Sequence, residues 1–289
     1  GAPDSREPCE RSAHMNVVMM IGDHPRHFHV AKAVGETGML SGVIVERREA
    51  FVPKAPLELD PALARLYVHH FAERDRVEGE CFGTAAKEFD GHRFGEVATL
   101  VTDLAGINGE AARRFISIRR PDLLLSFGVH KLEPATLDVA TKLRWNIHGG
   151  LSPWYRGTIT LFWPSYLLEP QMTGMTVHEL TQAIDGGNIV HQCAAPLVRG
   201  DSLHRLSCRA VAELASELPA LLELGAGGRL RDPVQQRTAG RIWRDSDWRP
   251  EHLRLVYETY GDRVVDAYLD GKLRQRAPKL VRQWPAERG

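Results

Sequence analysis

Short, unbroken apolar runs that stop at glycine or a polar turn recur along the chain. Residues 16–22 (Asn-Val-Val-Met-Met-Ile-Gly), 42–45 (Gly-Val-Ile-Val) and 122–128 (Asp-Leu-Leu-Leu-Ser-Phe-Gly) are of this kind. They lack the every-second-residue alternation of a half-exposed strand and suit strands of a parallel sheet buried on both faces. Residues 97–101 and 143–148 read as two more strands. Helices are predicted at 25–36 with Pro25 in the first turn, at 57–81 with Pro61 near the start, and at 108–120, stopping before Pro121. Residues 134–140 suit a short helix or turn. This alternation predicts an α/β fold with a doubly wound, mostly parallel, Rossmann-like sheet.

The second half of the chain changes character. Residues 158–168 are apolar and aromatic and read as a helix over the sheet. Residues 174–180 alternate like a strand, and 188–194 read as its partner across Asp185-Gly186-Gly187. Leu203, Leu206, Ala210, Val211, Leu214 and Leu218 recur at helical spacing behind a cap at Asp201 or Ser202, with Pro219 expected to kink or restart the helix. Gly225-Ala226-Gly227-Gly228 is the clearest break. It separates a main domain, 15–224, from an extension, 225–289, that holds Trp243 and Trp248 and is expected to pack on the core. Residues 1–14 are polar with no apolar core; they read as an expression-tag remnant rather than a leader.

Of the 289 residues, 43% are hydrophobic and 26% charged, and the formal net charge is zero. That balance argues against nucleic acid as the main partner, which calls for a basic excess. The extension, with 14 Lys/Arg against 9 Asp/Glu, is modestly basic. It is a candidate for holding a phosphorylated acceptor and for a homodimer contact, surface arginines being the plainer reading. No apolar run reaches the roughly 18 residues of a membrane span. Cys9, Cys81, Cys193 and Cys208 have no zinc-ligand spacing and fit reduced thiols in a cytoplasmic protein.

The stretch around which the rest is organised is Trp145-Asn146-Ile147-His148-Gly149-Gly150. Two residues apart on a strand, Asn146 and His148 share a face. A carboxamide and an imidazole aimed at one point provide an oxyanion donor beside a proton carrier, which carbonyl chemistry needs. Asp185 returns later in a glycine-flanked turn. His24, His27 and His29 invite a metal site, but a strand-to-helix loop with surface histidines, placed to touch substrate, is the preferred reading; no metal is expected. His69 and His70 read as helix surface. No Gly-rich fingerprint follows the first strand, which removes the main support for a nicotinamide cofactor.

Asn146-x-His148, the Ser152-Pro153 step, Arg156-Gly157 and Asp185-Gly186-Gly187 together resemble the formyltransferases that use 10-formyltetrahydrofolate. The resemblance runs over about residues 15–224 and is specific from 122 to 194. Gly149-Gly150-Leu151-Ser152-Pro153 stands where a Ser-Leu-Leu-Pro is usual, and the two glycines could bring backbone closer to a ligand. Phe162-Trp163 and Thr173-Gly174-Met175-Thr176-Val177-His178 look closest to the sugar-nucleotide and small-amine branch.

The resemblance implies an N-formyltransferase acting on a small-molecule amine, an amino sugar on a nucleotide or an amino-acid derivative, with Asn146, His148 and Asp185 catalytic. It places the folate against Phe127, Gly128, Val129, His130 and Leu132 and against the loop of Gln182, Ala183 and Ile184. Candidate acceptor contacts are His24, Arg156 and Trp163, with core packing the competing reading of Trp163. Three alternatives stand beside it: a methionyl-tRNA formyltransferase-like enzyme, a formyltetrahydrofolate hydrolase, and a non-catalytic folate-binding protein.

Overall fold

A computed structural model describes residues 15–48, 53–90, 97–140, 142–237 and 240–284; residues 1–14, expected to be a tag remnant, and Cys9 among them lie outside the described residues. In the first half of the chain the apolar runs become strands and the proline-led stretches become helices. These are β1 (Val17–Gly22), α1 (Pro25–Gly35), β2 (Leu40–Glu46), α2 (Pro61–Phe82), α3 (Ala85–Asp90), β3 (Ala98–Thr102), α4 (Glu110–Arg119), β4 (Leu123–Phe127), α5 (Pro134–Leu137) and β5 (Leu143–His148). Then follow β6 (Tyr155–Gly157), α6 (Trp163–Tyr166), β7 (Gly174–Glu179), β8 (Ile189–Ala194), α7 (Leu203–Ala226), β9 (Arg241–Trp243), α8 (His252–Arg254) and α9 (Val264–Leu269).

The main sheet has the order β3-β2-β1-β4-β5-β7-β8. The first five of these strands pair in parallel, and β7 and β8 join antiparallel at the far side. The chain reverses direction of winding between β1 and β4, and open α/β sheets bind ligands at the carboxyl ends beside such a switch point. Every residue of β1 and β4 is buried, as expected for strands covered on both faces.

Helix caps follow simple chemistry. Asp60 accepts from the backbone N–H groups of Ala62 and Leu63, both at 3.0 Å, and opens α2. Ser202, not Asp201, caps α7 by accepting from the Arg205 N–H at 3.2 Å. Pro219 neither stops nor restarts α7, which runs through it. Leu218, Leu221 and Leu222 are fully buried around it. Their burial contributes about 1.5–3 kcal/mol each, about 4.5–9 kcal/mol together, which exceeds the roughly 3 kcal/mol cost of an internal proline. The glycine break also falls later than expected, since the helix extends to Ala226.

Residues 158–168 do not form the expected helix; only α6 is helical. Ile159 and Leu168 sit at φ +58° and +59°, left-handed values that end any helix on either side. Phe162 and Trp163 are nonetheless buried. In the extension, the stretch expected to be helical at 250–260 is the short α8 followed by a π-helical turn, Leu255–Thr259. Among the described residues, the extension meets the main sheet at two places. Val234 exchanges backbone hydrogen bonds with Ile189. Val281 and Gln283 run along β8, where Gln192 N–H donates to the Val281 carbonyl at 2.7 Å. That edge is covered rather than left open for strand addition.

Candidate active site

Sheet register places Ser126 of β4, Asn146 of β5 and His178 of β7 side by side on one face. Their side chains form a hydrogen-bonded row. Ser126 Oγ–H donates to Asn146 Oδ1 at 2.7 Å, and Asn146 Nδ2 lies 3.2 Å from His178 Nε2. His178 Nδ1 is 2.8 Å from the Glu179 carbonyl, so it carries a proton and leaves Nε2 to accept from Asn146. With its oxygen occupied by Ser126, the amide of Asn146 has one orientation: its N–H groups face His178 and the open space beyond.

His148, two residues on, is buried, and its Nε2 donates to the Tyr155 carbonyl at 2.7 Å. Its Nδ1 faces Asp185 Oδ2 at 3.4 Å, while Asp185 Oδ1 stands 3.4 Å from His178 Nε2. Gly157 N–H donates to the same Asp185 Oδ2 at 2.8 Å. The carboxylate thus stands between two imidazoles, each gap longer than a direct N–H···O bond. Burial lowers the His148 pKa, and Asp185 partly offsets that. Burial alone would raise the Asp185 carboxyl, but the positive charge that His148 and His178 carry when protonated, together with the Gly157 N–H, outweighs it and holds the pKa well below the usual carboxylate range.

The glycines of the loop have a definite purpose here. A Cβ on Gly150 would lie 2.5 Å from the Tyr155 carbonyl oxygen and 2.7 Å from His148 Nε2. Only glycine lets the chain fold under the imidazole. The Ser152–Pro153 peptide that follows is cis.

These groups open on a cavity of about 490 Å³ at the carboxyl ends of the strands, beside the switch point. Phe127, Gly128, Val129, Asn146, His148 and Asp185 line one side; Arg26, His70, Arg74, Glu78, His204 and Ser207 line the other, with Asp245 of the extension also in the lining. The opposite wall was not foreseen. His70 was expected on a helix surface, yet it is buried, with Nδ1 2.8 Å from Tyr257 Oη, which in turn is 3.3 Å from His204 Nε2. Burial pushes His70 well below its ordinary pKa and His204 down to about 3, so both rings are neutral near pH 7. The available signal was spacing: His70, Arg74 and Glu78 recur every four residues and share one face of α2.

Other expected contacts fall elsewhere. Trp163 is buried against Trp243, ring centroids 4.3 Å apart, with Nε1 donating to the Thr158 carbonyl at 3.3 Å; it packs and is not in the cavity lining. Arg156 turns its guanidinium to the Ile184 carbonyl, from Nε at 3.2 Å and Nη2 at 2.5 Å, fastening the Asp185 loop rather than facing the cavity. His24 caps α1 and stacks on His27 at 5.3 Å, also outside the lining. His27 is not a surface residue. It is buried, its ring 4.7 Å from Phe127, at a spot where a Cβ on Gly22 or Gly128 would collide with it, and unlike His24 it belongs to the cavity lining. His130 is held by Glu46, which accepts from its backbone N–H at 2.8 Å. Leu132 is buried in the small core cluster with Val18 and Met20, and Gln182, Ala183 and Ile184 lie on an exposed loop. Among the described residues, no group of three His, Cys, Asp or Glu side chains is placed to hold a metal ion, and no helix is long and apolar enough to cross a membrane.

Residues 107–221, which carry the Asn-His-Asp arrangement, match the family described as Formyl transferase. This segment is a formyl transferase domain. Over 124 residues, 42% of its length, the chain is 32% identical to methionyl-tRNA formyltransferase of Anaeromyxobacter dehalogenans, and the match spans 38% of that protein's length. The formyl transferase fold extends beyond the matched segment. Glycinamide ribonucleotide transformylase 1 of Symbiobacterium toebii superposes with a TM-score of 0.53 at 21% identity, covering 80% of this chain and 97% of that one. The N-formyltransferase of Helicobacter canadensis, solved with folinic acid and dTDP-3-aminofucose, superposes with a TM-score of 0.52 at 14% identity, covering 81% of this chain and 73% of that one. At these identities the likeness is one of fold.

Proposed function

We propose that this protein moves a formyl group from 10-formyltetrahydrofolate to the primary amine of a small molecule, with an amino sugar on a nucleotide the acceptor class that the Helicobacter canadensis complex makes most natural. The observation that carries the reading is the convergence of the Asn146 amide, the His148 imidazole and the Asp185 carboxylate on one cavity. The folate would lie along Phe127, Gly128 and Val129, which line the cavity, with the exposed loop through Gln182, Ala183 and Ile184 beside it. Its part is to supply the formyl carbon.

The chain's own residues do the rest. Asn146, pinned by Ser126, presents an N–H to the formyl oxygen as negative charge develops there. Because His148 Nε2 is committed to the Tyr155 carbonyl, proton exchange falls to Nδ1, the nitrogen that faces Asp185. A lone pair and a carboxylate opposed across 3.4 Å form a slot for a proton donor. An attacking amine, or a water relaying its proton, fits that description. Once the ring is protonated, Asp185 stabilises it, and the ring returns that proton to the departing folate nitrogen as its bond to the formyl carbon breaks. The acceptor would approach from the far wall, where Arg74, His70, His204 and Asp245 offer charge and hydrogen bonds.

Co-crystallisation with a folate analogue and a panel of small amines tests this. The expected density places the pterin against residues 127–129 and the amine beside His148. Folate bound elsewhere, or no binding at all, would reject the reading.

A further inference from the structure

The two acid–base groups are not held by the main sheet alone. His148 is tethered to the carbonyl of Tyr155, and Asp185 to the N–H of Gly157, so both depend on the three residues of β6. β6 pairs with one strand, β9 of the extension, in parallel register: Tyr155 with Arg241, Arg156 with Ile242, Gly157 with Trp243. The pairing continues past the strand, where Thr158 N–H donates to the Trp243 carbonyl at 2.9 Å. The approach is close. A Cβ on Gly157, at φ +96°, would come within 2.0 Å of the Trp243 oxygen. A Cβ on Gly240, at φ +51°, would come within 1.7 Å of the Pro153 oxygen.

A second attachment reaches the loop that carries the carboxylate. Gln236 Nε2 donates to the Asp185 carbonyl at 2.8 Å and to the Gly187 carbonyl at 2.7 Å. Two facing acceptors fix which end of the amide points inward. Its Oε1 is buried and meets no donor among the described residues, so this carboxamide works through its N–H groups. Asp185 itself sits at φ +43°, a left-handed conformation that a non-glycine residue keeps only when its surroundings hold it there.

We propose that the C-terminal extension is a positioning element of the reaction centre, in which β9 sets the height of β6 and Gln236 sets where the Asp185 carboxylate stands relative to His148 and His178. The kinetic consequence rests on the formyl-transfer reading; the positioning itself does not. A basic, loosely appended tail could be trimmed without touching chemistry, whereas this one cannot.

The test uses the full chain with Gln236→Met, which keeps length and apolar bulk but has no N–H, and Gln236→Glu, which keeps shape but turns donors into acceptors. Both should lower kcat by about tenfold to a hundredfold, since small misplacement of catalytic groups is costly, with KM for folate and amine within about threefold of wild type. Lys272→Ala, on an exposed part of the extension outside the cavity lining, serves as the control and should leave kcat unchanged. Independently of activity, the His148 ring is titrated by NMR in the ligand-free protein. Asp185 favours the protonated ring, while His178 and Arg156 oppose it. Loosening Asp185 should therefore move the His148 titration to lower pH in both variants. A His148 titration identical to wild type in a folded Gln236 variant would overturn the proposal, whether or not formyl transfer is the reaction. So would a wild-type kcat in Gln236→Met or Gln236→Glu. Should one variant fail to fold, the other still decides.

Discussion

Replacing Asn146 with alanine removes the side-chain N–H proposed to meet the formyl oxygen. The structure allows the consequence to be divided. On the stability side, Ser126 Oγ loses its acceptor but has the Trp145 carbonyl at 3.5 Å to turn to, and His178 Nε2 loses a donor. Losing such hydrogen bonds in a partly open site costs about 1–2 kcal/mol, too little to unfold a chain whose main core lies in other layers. On the kinetic side, loss of one preorganised oxyanion donor costs roughly 10²–10³ in kcat, or about 2.7–4 kcal/mol of transition-state stabilisation. Steady-state kinetics with the folate and a competent amine should therefore show kcat down by that factor, with both KM values within about threefold. A thermal melt in parallel confirms folding. Asn146→Asp should be worse, since it sets a second carboxylate where negative charge develops. A fall below about tenfold in kcat, or a loss confined to KM, would refute the assignment of Asn146 as the oxyanion donor.

Three further outcomes follow from the same structure. Gly150→Ala would press a methyl group against His148 Nε2 and the Tyr155 carbonyl, and should cut kcat by about 10²-fold through displacement of the imidazole; kinetics of a folded variant decides. Folding stability should fall as pH drops below the unfolded histidine pKa, because His27, His70, His148 and His204 are all held below it and the unfolded chain then binds more protons. His204, at about 3 when folded, alone loses about 2 kcal/mol by pH 5, from about 1.4 kcal/mol per pH unit; urea melts of His204→Gln against wild type between pH 7 and 5 should show a flatter profile in the variant. Leu218→Ala, emptying a fully buried position on α7, should cost about 2–5 kcal/mol in chemical denaturation with the cavity residues unaltered.

Much of the fold could be read from the sequence because β1, β2 and β4 are built on short apolar runs, and their length and the glycines beside them favour buried strands over helices. The pair Asn146 and His148 could be read because strand geometry fixes which side chains share a face. What escaped is what depends on distant partners. Residues 158–168 look helical by composition, but left-handed turns at Ile159 and Leu168 and pairing with Trp243 decide otherwise. β6 and β9 are three residues each, too short to leave a pattern, and they meet across some 86 positions of chain, as Tyr155 pairs with Arg241. His70 was hidden by the charged residues around it, since α2 buries one narrow stripe under Trp248 and Tyr257. Arg156 and Trp163 stand next to the site in sequence, yet their side chains fasten the loop and fill the core.

The central claim is that this site hands a one-carbon unit to an amine. Turnover of 10-formyltetrahydrofolate by the wild-type protein, measured with and without each member of an amine panel and with the amine product weighed by mass spectrometry, addresses it directly. Tetrahydrofolate should appear only when an accepted amine is present and in step with a product one formyl group heavier. Tetrahydrofolate and free formate released at the same rate with no amine present would contradict it.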